Sequence, residues 1–348
     1  MNHHHFMQRC LELAALGTGN VAPNPLVGCV IVHAGKIIGE GYHQKCGEGH
    51  AEVNAFNSVQ DDSLLPESTV YVSLEPCAHH GKTPPCAELL VEKKIKHVVI
   101  ATLDPHAKVA GLGVEILRNA GIEVTVGILE KEARFLARRF FTFHQNKRPF
   151  VVLKWAESAD GFLDKERTTS SQEPLSISCE ESNVHTHGLR ASEHAIMVGT
   201  NTALLDNPSL AVRNASGSNP IRIVLDRTLR LPQTLKLFTD GKPTVVLNEM
   251  KSGKEGAIRF VKPNEWTLTS MLSELHQLQI QSVLVEGGSK LLNSFVSGNF
   301  WDEAHCISSS EVFAKKGPLS PKIIAPIRKQ FQSGSDSITV YQNQLTTK

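Results

Sequence analysis

Residues 50–52 read His-Ala-Glu, and residues 76–86 read Pro-Cys-Ala-His-His-Gly-Lys-Thr-Pro-Pro-Cys. One histidine and two cysteine thiolates supply three of the four tetrahedral ligands that zinc takes, and a catalytic site leaves the fourth position to water. The pattern therefore predicts that Zn²⁺ is bound by His50, Cys77 and Cys86. Glu52 follows the histidine at a spacing that lets its carboxylate take a proton from the metal-bound water and pass it to a leaving amine.

The local context of these residues agrees with a catalytic site. The histidine and the glutamate open a helix predicted over residues 51–59, and the first cysteine follows a strand predicted over residues 69–73. The second cysteine opens the next helix, where the N-terminal dipole favours a thiolate. A closed structural zinc knuckle, or buried cysteines beside a chance histidine, would not need the glutamate. The combination of His-x-Glu with Pro-Cys is typical of zinc-dependent nucleobase deaminases.

The composition of the chain limits what it can do. Its 348 residues are 41% hydrophobic, which is enough for two domains that each bury a core. The net charge of +1 argues against a long nucleic acid as ligand, because such binding usually needs a basic face. No apolar run approaches the ~18 residues that span a membrane, and the N-terminus lacks the apolar segment of a signal peptide. Seven scattered cysteines then indicate free thiols and metal ligands, and we expect a cytoplasmic protein that binds neither nucleic acid nor membrane.

Strand patterns alternate with helix patterns in both halves of the chain, which favours layered α/β domains. The first half is predicted to contain a hairpin over residues 28–41 and one long helix over residues 130–143. A turn-like segment, Asn146–Pro149, follows this helix. We therefore predict a first domain of residues 1–146 and a second of residues 147–348.

The second half begins a new series of strands and helices. Its clearest predicted strands span residues 150–154, 195–198, 221–225, 244–247 and 282–286. Residues 165–182 are polar and rich in Ser, Thr and Glu, and we predict a long loop there. Long loops inside compact domains are often functional.

The spacing of the two cysteines carries a specific resemblance. Eight residues separate them, whereas ordinary nucleoside deaminases have two. With this interval, the segment 76–86 resembles the bifunctional deaminase/reductase family of riboflavin biosynthesis. Four further segments fit the same family: Pro-Asn-Pro-Leu-Val-Gly at 23–28, Gly-Tyr-His at 41–43, Asp-Pro at 104–105 and Val-Ala-Gly-Leu-Gly at 109–113. The resemblance covers nearly the whole chain and implies a cytidine-deaminase-like α/β domain followed by a dihydrofolate-reductase-like α/β domain.

In the first domain the family pattern implies four substrate contacts: Asn24, His43, His79 and Lys82. The last two lie in the interval between the cysteines and put donor or cationic groups beside the zinc, which suits a phosphate on the substrate. Asn24 could instead shape a turn between two prolines, and His43 could be a satisfied loop histidine.

The second domain has no Gly-x-Gly-x-x-Gly at a first strand–helix turn, which disfavours a Rossmann cofactor domain. Two glycines at 287–288 follow a predicted strand, and their backbone N–H groups could approach a phosphate. The resemblance implies NADPH as cofactor, with contacts from Ala156, Ser176, Thr202, Asp206, Gly288, Ser289, Lys290, Leu291, Leu292, Asn293 and Ser294. It also implies that the ribose-phosphate substrate is held by Arg190, Leu210, Arg213 and Glu286. A guanidinium matches phosphate oxygens in bidentate fashion, although either arginine could be a surface residue.

The chain departs from the family in the loop of the second domain. Ser176 stands where an aromatic cofactor contact is expected, and Pro174 stands where a substrate-contacting serine is expected. His185-Thr186-His187 is also unexpected there. Losing an aromatic face could weaken packing on nicotinamide or substrate. The loop therefore motivates an alternative, a deaminase whose reductase domain is degenerate.

The leading hypothesis is a two-step enzyme of riboflavin biosynthesis. Zinc-dependent hydrolysis removes an amine from diaminohydroxyphosphoribosylaminopyrimidine, and NADPH-dependent reduction then converts the ribosyl group to ribityl. The expected partner is a small phosphoribosyl pyrimidine, and the resemblance suggests a homo-oligomer, a dimer or higher. An RNA-editing protein is a third hypothesis, which the near-neutral charge and the long cysteine interval oppose.

Overall fold

A mixed five-stranded sheet forms the centre of the first unit of the protein, Met1–Lys147. The computed structural model describes residues 2–80, 84–106 and 110–343. The strands of this sheet are β1 (Gly28–His33), β2 (Lys36–Tyr42), β3 (Thr69–Val72), β4 (His97–Ile100) and β5 (Glu123–Val126). They lie in the order β2-β1-β3-β4-β5, with β1 antiparallel to β2 and β3, and with β3, β4 and β5 parallel. The hairpin predicted over residues 28–41 corresponds to β1 and β2, which end one residue later, at Tyr42.

Six α-helices and a short 3₁₀ helix, Asp62–Glu67, accompany this sheet in the described part of the unit. The α-helices are α1 (His3–Ala15), α2 (Ala51–Asn57), α3 (Cys86–Glu92), α4 (Leu112–Asn119), α5 (Glu130–Leu136) and α6 (Arg138–Asn146). The first helix begins at His3, because the side chain of Asn2 accepts the N–H of His5 at 3.3 Å and caps it.

The prediction of a single helix over residues 130–143 is wrong. The helix is interrupted at Ala137, although the Phe141 N–H still donates to the Ala137 carbonyl at 3.1 Å. The two pieces bury side chains in different places: Ala133 of α5 joins the core around α1, whereas Phe140 of α6 packs with Leu74. Amphipathic periodicity shows that a face is apolar, but it does not show that the face meets two separate partners.

A ten-stranded sheet forms the centre of the second unit, Arg148–Lys348. Its strands are β6 (Phe150–Glu157), β7 (Ala195–Val198), β8 (Ile221–Leu225), β9 (Thr244–Leu247), β10 (Gly253–Glu255), β11 (Ile258–Val261), β12 (Ser282–Val285), β13 (Glu303–Ser309), β14 (Ile327–Ser333) and β15 (Asp336–Gln342). The order is β10-β11-β9-β8-β7-β12-β6-β13-β15-β14, and the seven strands from β11 to β13 are parallel.

The helices of this unit are α7 (Glu180–Ser192), α8 (Thr200–Asp206), α9 (Lys236–Thr239), α10 (Leu268–Gln277) and α11 (Ser289–Ser297). The predicted loop over residues 165–182 therefore extends too far, since α7 already begins at Glu180. Separate apolar cores lie on the two faces of the sheet, and alternate β6 residues belong to each: Val151 and Leu153 to one, Phe150 and Val152 to the other. The carboxyl ends of the parallel strands meet at one edge, where ligands of open α/β sheets usually bind.

None of the helices in the described residues has both the length and the apolar character needed to cross a membrane.

Candidate active sites

The predicted zinc ligands converge in the first unit. His50 precedes α2, Cys77 lies in the segment after β3, and Cys86 is the first residue of α3. The Nδ1 atom of His50 lies 3.3 Å from the Cys86 Sγ and 3.6 Å from the Cys77 Sγ, and all three ligand atoms lie within 4.8 Å of one another. Tetrahedral zinc at ordinary bond lengths separates a nitrogen and a sulfur ligand by about 3.5 Å, so this donor set fits the metal.

One of the two thiols of this cluster, that of Cys77, is poised for metal binding. The hydrogen bond with the Cys86 thiol, together with bonds from His50 and the Cys86 backbone, lowers the pKa of Cys77 to about 4. The Cys86 N–H donates to the Cys77 Sγ at 3.2 Å. Cys77 is therefore a thiolate at neutral pH, which is the form that binds zinc.

Glu52 lies in the first turn of α2, directly behind the ligand cluster. Its side chain is buried, with 3% of the residue exposed. Burial, with a smaller contribution from the negative charge of Cys77, raises the pKa of Glu52 to about 7. A carboxyl group with this pKa can both accept and return a proton near neutral pH.

A cavity of about 250 Å³ opens onto this cluster. Predicted residues that line it are Asn24, His43, His50, Glu52, Cys77 and His79. The Asn24 Nδ2 lies 3.0 Å from the His43 Nε2, and the His43 Nδ1 lies 3.0 Å from the Gly49 carbonyl oxygen. The imidazole donates to that carbonyl and accepts from the amide, which leaves the Asn24 Oδ1 to accept a hydrogen bond from a ligand. The predicted contact Lys82 lies outside the described residues.

Glu75 is a buried residue of this cavity that the sequence did not reveal. Its carboxylate accepts the N–H groups of Asp104 at 3.1 Å, Gly111 at 3.0 Å and Val114 at 3.2 Å. It thereby ties the end of β4 and the start of α4 to the segment that carries Cys77. The only indication of its role in the sequence is its position just before Pro-Cys. That position does not distinguish a buried structural glutamate from an exposed one.

Four other residues that line this cavity were not predicted as site residues from the sequence: Leu74, Asp104, His106 and Phe140. Burial raises the pKa of Asp104 to about 6.

The second unit contains a larger cavity of about 1000 Å³ at the carboxyl edge of its parallel strands. Predicted residues that line it are Ala156, Ser176, Thr202, Asp206, Glu286, Gly288, Ser289, Lys290, Leu291, Leu292 and Ser294. Predicted residues that do not line it are Arg190, Leu210, Arg213 and Asn293. Leu210 is buried in the apolar core beside β8, and the Arg213 N–H donates to the His187 Nδ1 at 3.1 Å.

Arg190 reaches this cavity through an ion pair. Its Nε and Nη2 donate to the two carboxylate oxygens of Glu286 at 2.7 and 2.6 Å. Burial by itself would raise the pKa of Glu286, but the bonds from Arg190 and the charge of Lys154 hold that pKa below its usual value. Lys154 also lines the cavity, and the sequence gave no reason to single it out. The ion pair places a fixed carboxylate at the cavity wall.

Two glycines shape the wall where β12 ends. A Cβ on Gly287 would lie 3.2 Å from the side chain of Thr202, and a Cβ on Gly288 would lie 3.1 Å from the Thr202 Oγ1. Gly288 also has φ +64, which other residues rarely adopt. The backbone can therefore approach α8 closely at the start of the nine-residue helix α11. Such a turn suits the phosphates of a dinucleotide.

The unusual loop before α7 packs against the same cavity. Ser176 lines it, and the Arg167 guanidinium bridges Asp164 at 2.6 Å and Asp206 of α8 at 2.5 Å. The loop is thus tied to a helix that also contributes to the cavity wall.

The unexpected histidines of α7 have defined partners. The His185 Nε2 lies 3.1 Å from the His305 Nδ1, and His305 in turn contacts Glu303 at 2.8 Å. Burial lowers the pKa of His185 to about 4, so this imidazole is neutral at pH 7.

Two family models match the chain. Residues 1–102 match the cytidine and deoxycytidylate deaminase zinc-binding region, and residues 149–319 match the RibD C-terminal domain. These matches confirm a cytidine-deaminase-like first half and a RibD reductase second half. Nothing in them supports the alternative of a degenerate reductase domain.

Relatives extend the match to the whole chain. The riboflavin biosynthesis protein RibD of Aquifex aeolicus (strain VF5) is 41% identical over 304 residues, 85% of this chain and 84% of that protein. RibD of Actinobacillus pleuropneumoniae is 39% identical over 91% of this chain and 86% of its own. The crystal structure of a diaminohydroxyphosphoribosylaminopyrimidine deaminase/5-amino-6-(5-phosphoribosylamino)uracil reductase from Thermotoga maritima superimposes with a TM-score of 0.87, at 35% identity and over 98% of both chains. The chain therefore belongs to the riboflavin biosynthesis protein RibD family of bifunctional deaminases and reductases.

Proposed function

We propose that the first unit hydrolyses the exocyclic amine of diaminohydroxyphosphoribosylaminopyrimidine, and that the second unit reduces the ribosyl group of the deaminated product to ribityl. The single observation that supports the first step best is a cluster of three zinc-type ligands, two of which line one cavity together with a buried glutamate. We assign the deaminase domain to residues 1–146 and the reductase domain to residues 147–348.

In the first step His50, Cys77 and Cys86 would hold Zn²⁺, which would supply Lewis-acid activation of the attacking water. Glu52 accepts a proton at its carboxylate and returns it to the departing amine, which its pKa of about 7 allows. Asn24 and His43 orient the pyrimidine, because their mutual hydrogen bond fixes which polar atoms face the cavity. His79 and Lys82 contact the phosphoribosyl portion of the substrate.

In the second step NADPH supplies the hydride. Ala156, Ser176, Thr202 and Asp206 contact the cofactor, and the segment from Gly288 to Ser294 binds its phosphates. The large cavity is lined by most of these residues, which supports this assignment. Arg190, Leu210, Arg213 and Glu286 hold the substrate, with Glu286 fixed by its ion pair to Arg190. The protein contributes orientation and electrostatics, whereas the cofactor carries the chemistry.

We further propose that the protein acts in the cytoplasm as a homo-oligomer. The cysteines of the described residues are all free thiols, as expected of a reducing compartment. The deciding experiment for the function supplies the diaminopyrimidine with and without NADPH and identifies the products by mass spectrometry. We expect the deaminated pyrimidine without NADPH and the ribityl compound with it. Recovery of unchanged substrate in both reactions would refute the proposal.

A further inference from the structure

Glu75 lies in the wall of the deaminase cavity and is buried, but the proposed reaction gives it no role. We propose that Glu75 is a positioning residue: it holds the part of the wall formed by Asp104 and His106 in place beside the predicted zinc ligands, and so sets the affinity for the pyrimidine substrate. The inference rests on the proposed deamination and adds a residue that determines how tightly the substrate binds.

The carboxylate of Glu75 is occupied by the backbone. Its Oε2 accepts the N–H groups of Asp104 and Gly111, and its Oε1 accepts the N–H of Val114. Three of the about four acceptor positions of a carboxylate are therefore taken by main-chain donors. A side chain bonded in this way is suited to holding neighbouring backbone in place rather than to exchanging a proton with a substrate.

The bonds join the end of β4 to the start of α4. Asp104 follows β4 by four residues, and Gly111 is the N-cap residue of α4. Glycine has no side chain that can cap a helix, so the Glu75 carboxylate satisfies the N–H groups of Gly111 and Val114 instead. The positive end of the helix dipole also stabilises a buried negative charge at this place.

Further contacts fix Glu75 relative to the segment that carries Cys77. The Glu75 N–H donates to the Thr102 carbonyl at 2.9 Å. A Cβ on Gly113 would lie 2.2 Å from the Pro76 carbonyl oxygen, so the first turn of α4 lies directly against this segment. One side chain thus connects α4 and the end of β4 to a residue two positions before a predicted zinc ligand.

The wall held in this way is part of the substrate cavity, since Asp104 and His106 both line it. The His106 N–H donates to the Asp104 Oδ1 at 2.7 Å. The centre of the His106 ring lies 4.8 Å from that of His144, and the His144 ring lies 4.3 Å from that of Phe140, which also lines the cavity. A displacement of Asp104 therefore disturbs several side chains that face the ligand, and small displacements of this kind weaken the fit to a substrate.

The test measures substrate binding by calorimetry in the full-length, zinc-loaded protein, with the reaction blocked by Glu52→Gln. Adding Glu75→Gln keeps the shape of the side chain but places an amide N–H opposite a backbone N–H. We expect the Kd of diaminohydroxyphosphoribosylaminopyrimidine to rise by about 10- to 100-fold, because a buried donor loses its acceptor. With Glu52 intact, the single variant Glu75→Gln should raise KM by a similar factor, lower kcat by less than about threefold and retain stoichiometric zinc.

Asp61→Asn is the matched control. This carboxylate also accepts a backbone N–H at the start of a helix, that of Ser63 at 3.0 Å, but it is exposed and does not line the cavity. The control should bind the substrate like the parent protein. Glu75→Asp keeps the negative charge at a shorter reach and should lose less affinity than Glu75→Gln. It also provides the measurement if the amide variant does not fold.

An unchanged Kd in the Glu75 variants overturns the inference and leaves the proposed function intact. Loss of zinc together with loss of binding, or a fall in kcat larger than the rise in KM, has the same meaning, because Glu75 would then support the metal site rather than the wall. If the parent protein does not deaminate the pyrimidine, the proposed function and the inference are both overturned.

Discussion

At the scale of single residues, the deaminase site depends on a carboxyl group that is kept out of water. Glu52 is 3% exposed and sits beside a thiolate, and both features disfavour its negative charge. Burying a carboxyl group costs free energy, and such a cost is typical of functional sites. A carboxyl group that exchanges its proton near pH 7 suits a proton-transfer role. A surface glutamate would remain ionised and would be a poor proton donor to the departing amine.

Replacing this carboxyl by an amide tests that role. Glu52→Gln should retain stoichiometric zinc but release ammonia about 10²- to 10⁴-fold more slowly, because an amide cannot transfer the proton. Zinc is measured by elemental analysis and ammonia by a coupled assay. The control Glu48→Gln makes the same change at an exposed residue and should leave the rate of ammonia release unchanged. Unimpaired turnover of the Glu52 variant would contradict the proton-transfer role.

The Arg190–Glu286 ion pair predicts a pH dependence in the second unit. The pKa of Glu286 is depressed, so the pair stabilises the fold above the ordinary carboxyl pKa of 4.5, and this contribution is lost as the pH falls through the depressed value. Arg190→Met should lower the free energy of unfolding of this unit by about 3 kcal/mol at pH 7, because it leaves a buried carboxylate without its main partner.

Denaturant unfolding at several pH values checks this expectation. The difference between Arg190→Met and the parent should shrink below pH 4.5, since Glu286 then becomes protonated in the parent as well. A difference that stays constant down to acid pH would show that the arginine stabilises the fold through packing rather than charge.

At the scale of elements, α1 packs unusually closely against β1 at the start of this strand. A Cβ on Gly28 would lie 2.0 Å from the Cys10 carbonyl oxygen and 2.8 Å from the Ala14 backbone nitrogen. Backbone atoms cannot move aside as the end of a flexible side chain can. The packing of α1 on β1 therefore requires glycine at position 28, independently of any contact with a substrate.

Gly28→Ala should destabilise the first unit by about 1–3 kcal/mol or more, because the added methyl group forces the helix off the sheet. Thermal unfolding followed by circular dichroism measures the loss. Gly188→Ala adds the same methyl group within α7 where no atom lies within 4 Å, and it should be neutral or slightly stabilising. Equal effects of the two substitutions would argue against the steric explanation.

At the scale of the whole molecule, each unit has its own sheet, its own cores and its own cavity. Two chemistries on one chain should therefore be separable by mutation.

Cys86→Ser should lose zinc and ammonia release, yet still reduce the deaminated pyrimidine with NADPH. Arg213→Ala should show the opposite pattern, with normal deamination and a raised KM in the reduction. Both reactions are followed on purified intermediates, so neither assay depends on the other. Stoichiometric zinc in the serine variant would show that the ligand set is wrong.

The sequence by itself predicted the three zinc-type ligands that the fold brings together, the glutamate buried beside them and the positions of most strands. These features depend on short stretches of sequence. The ligand residues lie next to the ends of short elements, and apolar runs such as 28–33 and 195–198 form strands whatever elements they pack against. Through a resemblance that covers nearly the whole chain, it also predicted the proposed cofactor residues, most of which line the larger cavity.

Only the tertiary structure decided which distant residues complete each site. Glu75 organises Asp104 and α4, and Arg190 pairs with Glu286 from a separate segment of the chain. It also decided that α5 and α6 pack in different places, which divides one predicted helix into two. The physical reason is common to these cases: hydrogen bonds and packing between residues far apart in sequence depend on how the elements are arranged in space, and periodicity along the chain does not encode that arrangement.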